Sequence, residues 1–475
     1  MTQLDKVLGL AQKLGAEYAD ARYITTTQQP ITVTSDGAPQ VQASKSTGLG
    51  VRVLVDGAWG FSSTPYLDPR SLERVAEEAV KIAEASARYK IGDGVKLSPL
   101  EPIRAKWQTP YKTDPFTVKT EDKVQLLSEV VQRAMKVPGV SRASVSMMNY
   151  KEEKEFKSTD GRQIEQTTVH TGASVQVMAR GQNEVQSRSF SDYVDGGYEF
   201  VLGLDLSSKV ETLGREAVDL LKAPQCPGGV TDLIQGGEMV ALQIHESCGH
   251  PVELDRVLGQ EATYAGTSFL TPEKKGNYKY GSPAVHLVAD ATCPGGLGTF
   301  GFDDDGVEAQ RTDLVVDGIF VDYLTSRELA PMFGQESNGT CRAVGWENIP
   351  LVRMTNINLE PGDWTLDEII KDTKRGIFVD SPKSWSLDDK RWNFHFGQEI
   401  GYEIKDGSIV RMVKNPAHTA ITPEFWGSCD AVAGKDEWHI WGTPGCAKGE
   451  PVQVIQCGHG AAPARFRNVK VGVGQ

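Results

Sequence analysis

The chain of 475 residues has no long apolar run, and nothing in it approaches the ~20 consecutive apolar residues of a membrane-spanning helix. We also expect no secretory leader. The first residues, MTQLDKVLGLAQKLG, place apolar side chains at helical spacing between charged ones, which is typical of an amphipathic helix. The sequence therefore predicts a cytoplasmic protein without a membrane partner.

Positive charge is scarce, because 63 Asp and Glu outnumber 50 Lys and Arg and give a formal net charge of −13. No basic run compensates for this excess. A surface of this sign repels the phosphate backbone of nucleic acids. We therefore expect no nucleic-acid partner for this otherwise ordinary globular composition.

Cysteine is sparse as well. The seven cysteines are odd in number and scattered along the chain, which argues against a disulfide framework. In a reducing cytoplasm such thiols stay free, so they are candidates for metal ligation.

An internal duplication organises the first half of the chain. Residues 34–57, TSDGAPQVQASKSTGLGVRVLVDG, align without a gap with residues 158–181, STDGRQIEQTTVHTGASVQVMARG. Both copies contain an Asp-Gly pair, which favours a tight hairpin turn, and alternating valines, which indicate a half-buried strand. We expect each copy to form a helix, two strands, the turn, a long strand and a closing helix.

The pattern of apolar residues changes at residues 222–229, KAPQCPGG, where prolines and glycines interrupt the helical and strand periodicity. Beyond them the chain shows helical segments near 237–250 and 365–375 and many short strands. The sequence therefore predicts an α+β protein. Its N-terminal α/β domain, residues 1–222, holds the duplicated helix–hairpin unit, and its mainly β C-terminal domain, residues 230–475, carries the helix described next.

The most informative segment, GGEMVALQIHESCGHPVELD, covers residues 236–255. It contains His245, Glu246 and His250 in a His-Glu-x-x-x-His pattern, one residue longer than the usual zinc-peptidase spacing. On a regular helix at about 100° per residue, histidines five positions apart point about 140° away from each other. A π-type widening, or a helix end between them, would bring them together.

The local sequence permits such a bend, because Gly249 tolerates unusual backbone angles and Pro251 cannot donate an amide hydrogen bond. Two imidazoles and a third protein ligand would form an open zinc site with a water in the fourth position. Glu246 is placed to accept a proton from that metal-bound water. Glu253 is either a further ligand or a group that orients a ligating histidine. On these residues alone, the motif could also be an ordinary helix end.

Beyond this motif, the sequence resembles the TldD/PmbA metallopeptidases over essentially the whole chain. The similar stretches are HESCGHPVE at 245–253, GTFGFDDDGVEAQRT at 298–312, YLTSRELA at 323–330, RMTN at 353–356 and CAKGEP at 446–451. The resemblance implies a TldD-type, metal-site-bearing subunit with an N-terminal α/β domain and a mainly β C-terminal domain. It also implies that His245 and His250 bind one Zn²⁺ per subunit and that Glu246 is the catalytic carboxylate.

The third ligand implied by the resemblance is a cysteine in a CGKG-like segment, which falls on Cys446. Ala447 replaces the usual glycine, but the following Lys448 fits the pattern. Cys457 in CGHG, or His459, is the alternative third ligand.

These expectations describe a zinc metallopeptidase of short or unfolded peptides, acting through a metal-bound water activated by Glu246. The resemblance implies a dimer, either a homodimer or a heterodimer with a PmbA/TldE-type subunit. The alternative is a non-catalytic metal-binding or scaffolding subunit of a peptide-maturation or turnover complex.

Other segments that look chemical are interpreted as structural. The GxGxxG run at 296–301 leads into the aspartates 303–305 rather than into a helix, which argues against a nucleotide site. Cys248 is expected in the core. Three further histidines are expected in strands: His286, His395 and His439. The polar tract 263–281 is either a loop that covers substrate or a plain surface excursion.

Overall fold

The structure is a computed structural model that describes residues 2–90 and 92–473, so the outer limits of the expected domains, residues 1 and 475, lie outside the described residues. The helices are α1 (Gln3–Lys13), α2 (Pro69–Ala87), α3 (Thr120–Met135), α4 (Tyr198–Gly203), α5 (Leu206–Leu220), α6 (Gly237–Ile244), α7 (Leu254–Val257), α8 (Leu366–Lys371) and α9 (Thr422–Gly427). Helix α1 is amphipathic, as its spacing predicts. Within the described ranges, none of the helices has the length and apolar character needed to cross a lipid bilayer.

A nine-stranded sheet forms the N-terminal part. Its strands are β1 (Tyr18–Gln28), β2 (Ile31–Thr34), β3 (Gln40–Val41), β4 (Ser44–Val55), β5 (Ala58–Thr64), β6 (Ile103–Gln108), β7 (Val140–Ser158), β8 (Arg162–Arg180) and β9 (Val185–Asp195). The order β3-β2-β7-β1-β4-β5 is continued on the other side of β7 by β8, which pairs with β9 and with the parallel strand β6. Strands β5-β4-β1 of the first copy and β7-β8-β9 of the second therefore meet at an antiparallel β1–β7 seam, where Tyr23 faces Glu155.

Each copy covers the sheet with its own helices. Helices α1 and α2 pack on Val51 and Val53 of β4. Helices α3 and α5 pack in the same way on Val175 and Val177 of β8. The alternating valines of the two aligned segments are therefore the core-facing residues of equivalent strands, and the duplicated α/β unit is confirmed.

The turns differ in detail from the expected unit. Gly161 has a φ angle of +93°, as an Asp-Gly turn requires, but Gly37 lies outside the left-handed region. In the first copy the positive angles occur instead at Asp56 and Gly57, in the turn that joins β4 to β5. This second reversal adds a strand to each copy, β5 or β9, before the closing helix. The second copy also has one long strand, β7, where two were expected.

The C-terminal part is mainly β, as predicted. Its strands are β10 (Gly229–Gln235), β11 (Tyr278–Lys279), β12 (Leu287–Asp290), β13 (Arg311–Val316), β14 (Ile319–Phe320), β15 (Cys341–Arg342), β16 (Leu351–Val352), β17 (Ile357–Leu359), β18 (Arg375–Leu387), β19 (Asn393–Lys405), β20 (Ser408–Lys414), β21 (Pro416–Ile421), β22 (Cys429–Val432), β23 (His439–Lys448), β24 (Gln453–Ala461) and β25 (Ala464–Val473). The largest sheet follows β10-β18-β19-β21-β25-β22, and it closes into a barrel because β10 also pairs with β25. The sheet β11-β14-β13-β12-β17 and the pairs β15-β16 and β23-β24 complete this part.

The segment with three consecutive aspartates joins the two parts. Asp305 pairs with Arg52 of β4 at 2.7 Å, and Asp304 pairs with Lys154 of β7 at 2.8 Å. The backbone amides of Gly301 and Phe302 each donate a hydrogen bond to the side-chain oxygen of Gln166 at 2.9 Å. Buried carboxylates that are matched by cations of the neighbouring sheet serve packing, so the structural interpretation of this segment agrees with its contacts.

Candidate metal centre

Helix α6 ends in a widened turn that carries the two motif histidines. Residues His245–Gly249 are π-helical, and the amide of His250 donates to the carbonyl oxygen of His245, five residues earlier, at 3.2 Å. The extra residue in the turn compensates for the extra residue in the motif. The centroids of the two buried imidazoles consequently lie 4.9 Å apart, and of the two bends that their spacing allows, the structure has the π-type widening.

Gly249 serves this turn differently from the way expected. Its φ angle lies outside the left-handed region, so backbone freedom does not explain the glycine. A Cβ atom at this position would overlap the Sδ atom of Met354, whose side chain packs directly on the turn. Glycine is needed here because a neighbouring segment approaches closely.

The third donor comes from the hairpin β23-β24. The Sγ atom of Cys446 lies 3.8 Å from Nε2 of His250, and donor atoms of His245, His250 and Cys446 all lie within 4.8 Å of one another. In a tetrahedral zinc site with Zn–S of about 2.3 Å and Zn–N of about 2.05 Å, sulfur and nitrogen are about 3.6 Å apart. The chemistry and the spacing of these three donors therefore fit a zinc ion.

A second group of donors shares His245. The Sγ atom of Cys457 lies 3.8 Å from Nδ1 of His245 and 3.7 Å from Nε2 of His459. Those two nitrogens, however, are 2.8 Å apart. This is a hydrogen-bond distance, shorter than the roughly 3.4 Å between two nitrogens on one tetrahedral zinc. The geometry thus favours the group that contains Cys446.

The surroundings of Cys446 favour its thiolate. The Cys457 thiol donates a hydrogen bond to it, which lowers the pKa of Cys446 well below its ordinary value; burial opposes this, and the nearby imidazoles of His250 and His245 add to it. The same contact, together with burial, raises the pKa of Cys457. The thiolate is the form in which cysteine binds a metal.

Glu253 supports His250 from outside the donor group. Its Oε2 atom accepts a hydrogen bond from Nδ1 of His250 at 3.0 Å, which leaves Nε2 for the side of Cys446. Burial alone would raise the pKa of Glu253. The charges of Lys448 and Arg256 and the hydrogen bond to His250 lower it by more than burial raises it, so the carboxyl stays ionised. A carboxylate in this place fixes the orientation of a ligating imidazole.

Glu246 forms an ion pair with Arg391, which sequence reasoning did not identify. The Arg391 guanidinium donates through Nη1 to Oε2 of Glu246. Arg391 has a φ angle of +61° and lies in a turn before β19, where Asp388 accepts the amides of Lys390 and Trp392, each at 3.0 Å. A fixed turn thus positions the cation that holds Glu246, and no local pattern around Arg391 indicates this.

The other candidate residues do not belong to the donor group. Cys248 is fully buried in the core, as predicted. His395 lies in β19 and His439 begins β23, whereas His286 immediately precedes β12. The tract 263–281 includes two backbone amides that donate to the turn carrying Arg391. This tract is therefore a neighbour of the candidate centre.

Three sequence models of one family match successive parts of the chain. They are the PmbA/TldA metallopeptidase domain 1 at residues 19–83, the central domain at residues 113–223 and the C-terminal domain at residues 228–472. A protein of Methanothermobacter thermautotrophicus named metalloprotease is 30% identical, with 96% of this chain and 95% of the relative covered. The zinc metalloprotease TldD homolog of Saccharolobus solfataricus is 23% identical, with 98% and 99% covered.

Solved structures share the fold. TldE from Thermococcus kodakarensis superposes on this chain with a TM-score of 0.76 at 17% sequence identity. The superposition covers 99% of this chain and 100% of TldE. A Thermotoga maritima protein described as a candidate modulator of a DNA gyrase gives a TM-score of 0.79 at 18% identity, with 99% of both chains covered. The matched domains span nearly all of the sequence, and the chain belongs to the PmbA/TldD metallopeptidase family.

Proposed function

We propose that the protein is a zinc-dependent peptidase of short or unfolded peptides, with His245, His250 and Cys446 as its zinc ligands. The observation that carries this proposal is the convergence of these three donors within 4.8 Å at a π-turn that also carries Glu246. The names of the relatives, metalloprotease and zinc metalloprotease TldD homolog, support the same activity.

The side chains around the donors have distinct proposed roles. A zinc ion, when bound, supplies Lewis-acid activation of water and of the scissile carbonyl. Glu246 accepts the proton of the attacking water and returns it to the leaving amine. Arg391 keeps the Glu246 carboxylate in one orientation, while Glu253 and His459 fix the two imidazoles through their other nitrogens.

The proposed assembly is a dimer with one zinc ion per subunit, formed by two copies of this chain or with a PmbA/TldE-type subunit. The shared fold with TldE supports such a pairing of related subunits. The cytoplasm remains the predicted compartment, and the seven cysteines, all free thiols, agree with it. A direct action on DNA is disfavoured by the net charge of −13.

The substitution Glu246→Gln tests the mechanism. The variant should keep one zinc ion per chain but lose about 10²–10⁴-fold of its rate on an unstructured fluorogenic peptide, because only the proton acceptor is removed. Glu238→Gln, on helix α6 that leads into the turn carrying Glu246, is the matched control and should retain the rate. Metal content is measured by mass spectrometry, and rates are measured with and without a chelator.

Two results would contradict the proposal. Wild-type rates in Glu246→Gln would rule out the proposed role of this carboxylate. Stoichiometric zinc in a wild-type protein that shows no chelator-sensitive hydrolysis would favour the alternative, a non-catalytic metal-binding or scaffolding subunit.

A further inference from the structure

A cavity of about 160 Å³ lies between the two parts of the molecule. Its floor is the face of β7 and β8 that carries Tyr150, Glu152 and His170, and its roof is the segment beginning at Arg342 together with strand β24. Exposed lining residues, among them Ser46, open it to solvent. The candidate zinc ligands are not part of its wall, so it is a separate site.

The floor of the cavity contains a histidine without hydrogen-bond partners. His170 is 2% exposed and stacks on Tyr150 with 5.5 Å between ring centroids. Neither ring nitrogen has a hydrogen-bond partner in the described residues, and the nearest carboxylate oxygen, from Asp195, is 3.7 Å from Nε2. Burial, aided by the charge of Arg342, lowers the pKa of His170 to about 3, so the ring is neutral. It can donate through one nitrogen and accept through the other.

The roof supplies a cation without an acidic partner. Arg342 donates through Nη1 to the carbonyl oxygens of Met354 and Gln456, at 2.8 and 3.0 Å, and its guanidinium lies 5.2 Å from the ring centroid of Phe300. Within residues 2–90 and 92–473 it forms no ion pair. A partly buried arginine in this state is suited to bind a carboxylate.

The floor supplies a carboxylate that is poorly matched by cations. Glu152 accepts a hydrogen bond from the Tyr150 hydroxyl at 2.9 Å. Lys154 lies 4.0 Å from Glu152 but only 2.8 Å from Asp304, so its charge is already paired. Burial raises the pKa of Glu152, while Lys154 and the Tyr150 hydroxyl lower it, so an ammonium group at the same cavity would stabilise its charged form.

We propose that this cavity binds a compact zwitterion, an α-amino acid with a small side chain, through Arg342 at its carboxylate and Glu152 at its ammonium group. His170 supplies a further hydrogen bond. A cavity of about 150 Å³ accommodates benzene, which has as many non-hydrogen atoms as alanine, so the volume is adequate. A simple anion or a simple amine would leave one of the two opposite charges unpaired.

The position of the cavity suggests what the site senses. Arg342 holds the carbonyl group of Gln456, and the next residue, Cys457, lies 3.8 Å from His245. An amino acid released by peptide hydrolysis would thus bind one residue away from the candidate metal centre. This connection rests on the proposed peptidase function, whereas the binding itself does not.

Calorimetric titration of the zinc-loaded full chain with alanine tests the inference. We expect saturable binding, with acetate and methylammonium at least about tenfold weaker, since each supplies only one of two charge-assisted hydrogen bonds. Glu152→Gln should weaken alanine binding by about tenfold or more. Glu153→Gln, which changes the exposed neighbour on the opposite face of β7, is the matched control and should leave binding unchanged.

A second variant keeps the test independent of the stability of Glu152→Gln. His170→Phe retains the stacking on Tyr150 and removes both nitrogens, so it should weaken alanine binding without lowering the melting temperature. Absence of alanine binding at tens of millimolar would overturn the inference and leave a water-filled cavity. Binding that is insensitive to both substitutions would also overturn it, because alanine would then occupy another site. Alanine should still bind to Glu246→Gln, so failure here is distinct from failure of the peptidase proposal.

Discussion

Nδ1 of His245 and Nε2 of His459 are 2.8 Å apart, and this contact couples the tautomers of the two rings. Nδ1 of His459 lies 3.1 Å from the carbonyl oxygen of Ile357, which can only accept a hydrogen bond. Burial lowers the pKa of His459, so this ring is neutral and carries a single proton. That proton is on Nδ1, which donates to Ile357, and Nε2 accepts a hydrogen bond. His245 must then donate from Nδ1, which leaves its Nε2 free for a metal ion.

Replacement of His459 should weaken zinc binding without abolishing it. His459→Phe removes the acceptor that orients His245, and loss of such an outer partner typically costs about 10–100-fold in metal affinity. Competition with a chromophoric chelator measures the affinity. His286→Phe, at a half-exposed histidine outside the centre, should behave as wild type. An unchanged affinity in His459→Phe would show that its contact with His245 is not needed.

The two cysteines of the hairpin β23-β24 should respond differently to substitution. Cys446→Ser should lose stoichiometric zinc after dialysis, because it removes one of three donors. Cys457→Ser should retain zinc, since its thiol serves as a hydrogen-bond donor to Cys446. Metal analysis of the two purified variants decides between them, and the reverse pattern would make Cys457 the ligand.

The close packing at the π-turn gives a prediction about stability. In Gly249→Ala the new methyl group overlaps Met354, so we expect a destabilisation of about 1–3 kcal/mol. Gly9→Ala is the matched control, because a Cβ there meets nothing within 4 Å, and in helix α1 it should stabilise by about 0.5–1 kcal/mol. Urea unfolding of both variants measures the difference; a neutral Gly249→Ala would mean that Met354 moves aside freely.

Asp195 should make the stability depend on pH. Burial raises its pKa from 3.8 to about 7, against the opposing hydrogen bond from Thr109. Because the folded state holds this proton more tightly than the unfolded state, its contribution to the free energy of unfolding falls as pH rises from about 4 to 7. Asp195→Asn should remove that contribution, so its melting temperature relative to wild type should rise over the same range. Parallel melting profiles of the two proteins would contradict this assignment.

The parts of the structure that could be predicted are those encoded by neighbouring residues. The angle between His245 and His250 indicates either a π-type widening or a helix end, and the structure has the widening. The duplicated sheet follows from the aligned valines, whereas only the second of the two Asp-Gly pairs forms the expected turn. Each of these patterns lies within a few residues or repeats itself. The resemblance to a known family then supplied Cys446, which is 196 residues from His250.

The parts that could not be predicted depend on distant residues. Arg391 is 145 residues from Glu246, and nothing in its own turn distinguishes it from a surface arginine. Closure of the barrel requires β10 to pair with β25, with Gly229 opposite Val471, and no local pattern records that register. Gly249 is needed because Met354 packs against the turn, and the sequence, which points to unusual backbone angles, does not show this distant contact.

The β1–β7 seam has a consequence for biosynthesis. Strand β1 ends at Gln28, but its inner partner β7 is complete only at Ser158. At about 5–20 residues per second, the edge of β1 in the nascent chain therefore stays uncovered for roughly 6–26 s. An uncovered edge is a template for pairing with another chain. Neighbouring nascent chains on one polysome should consequently associate through this edge before their second repeats emerge.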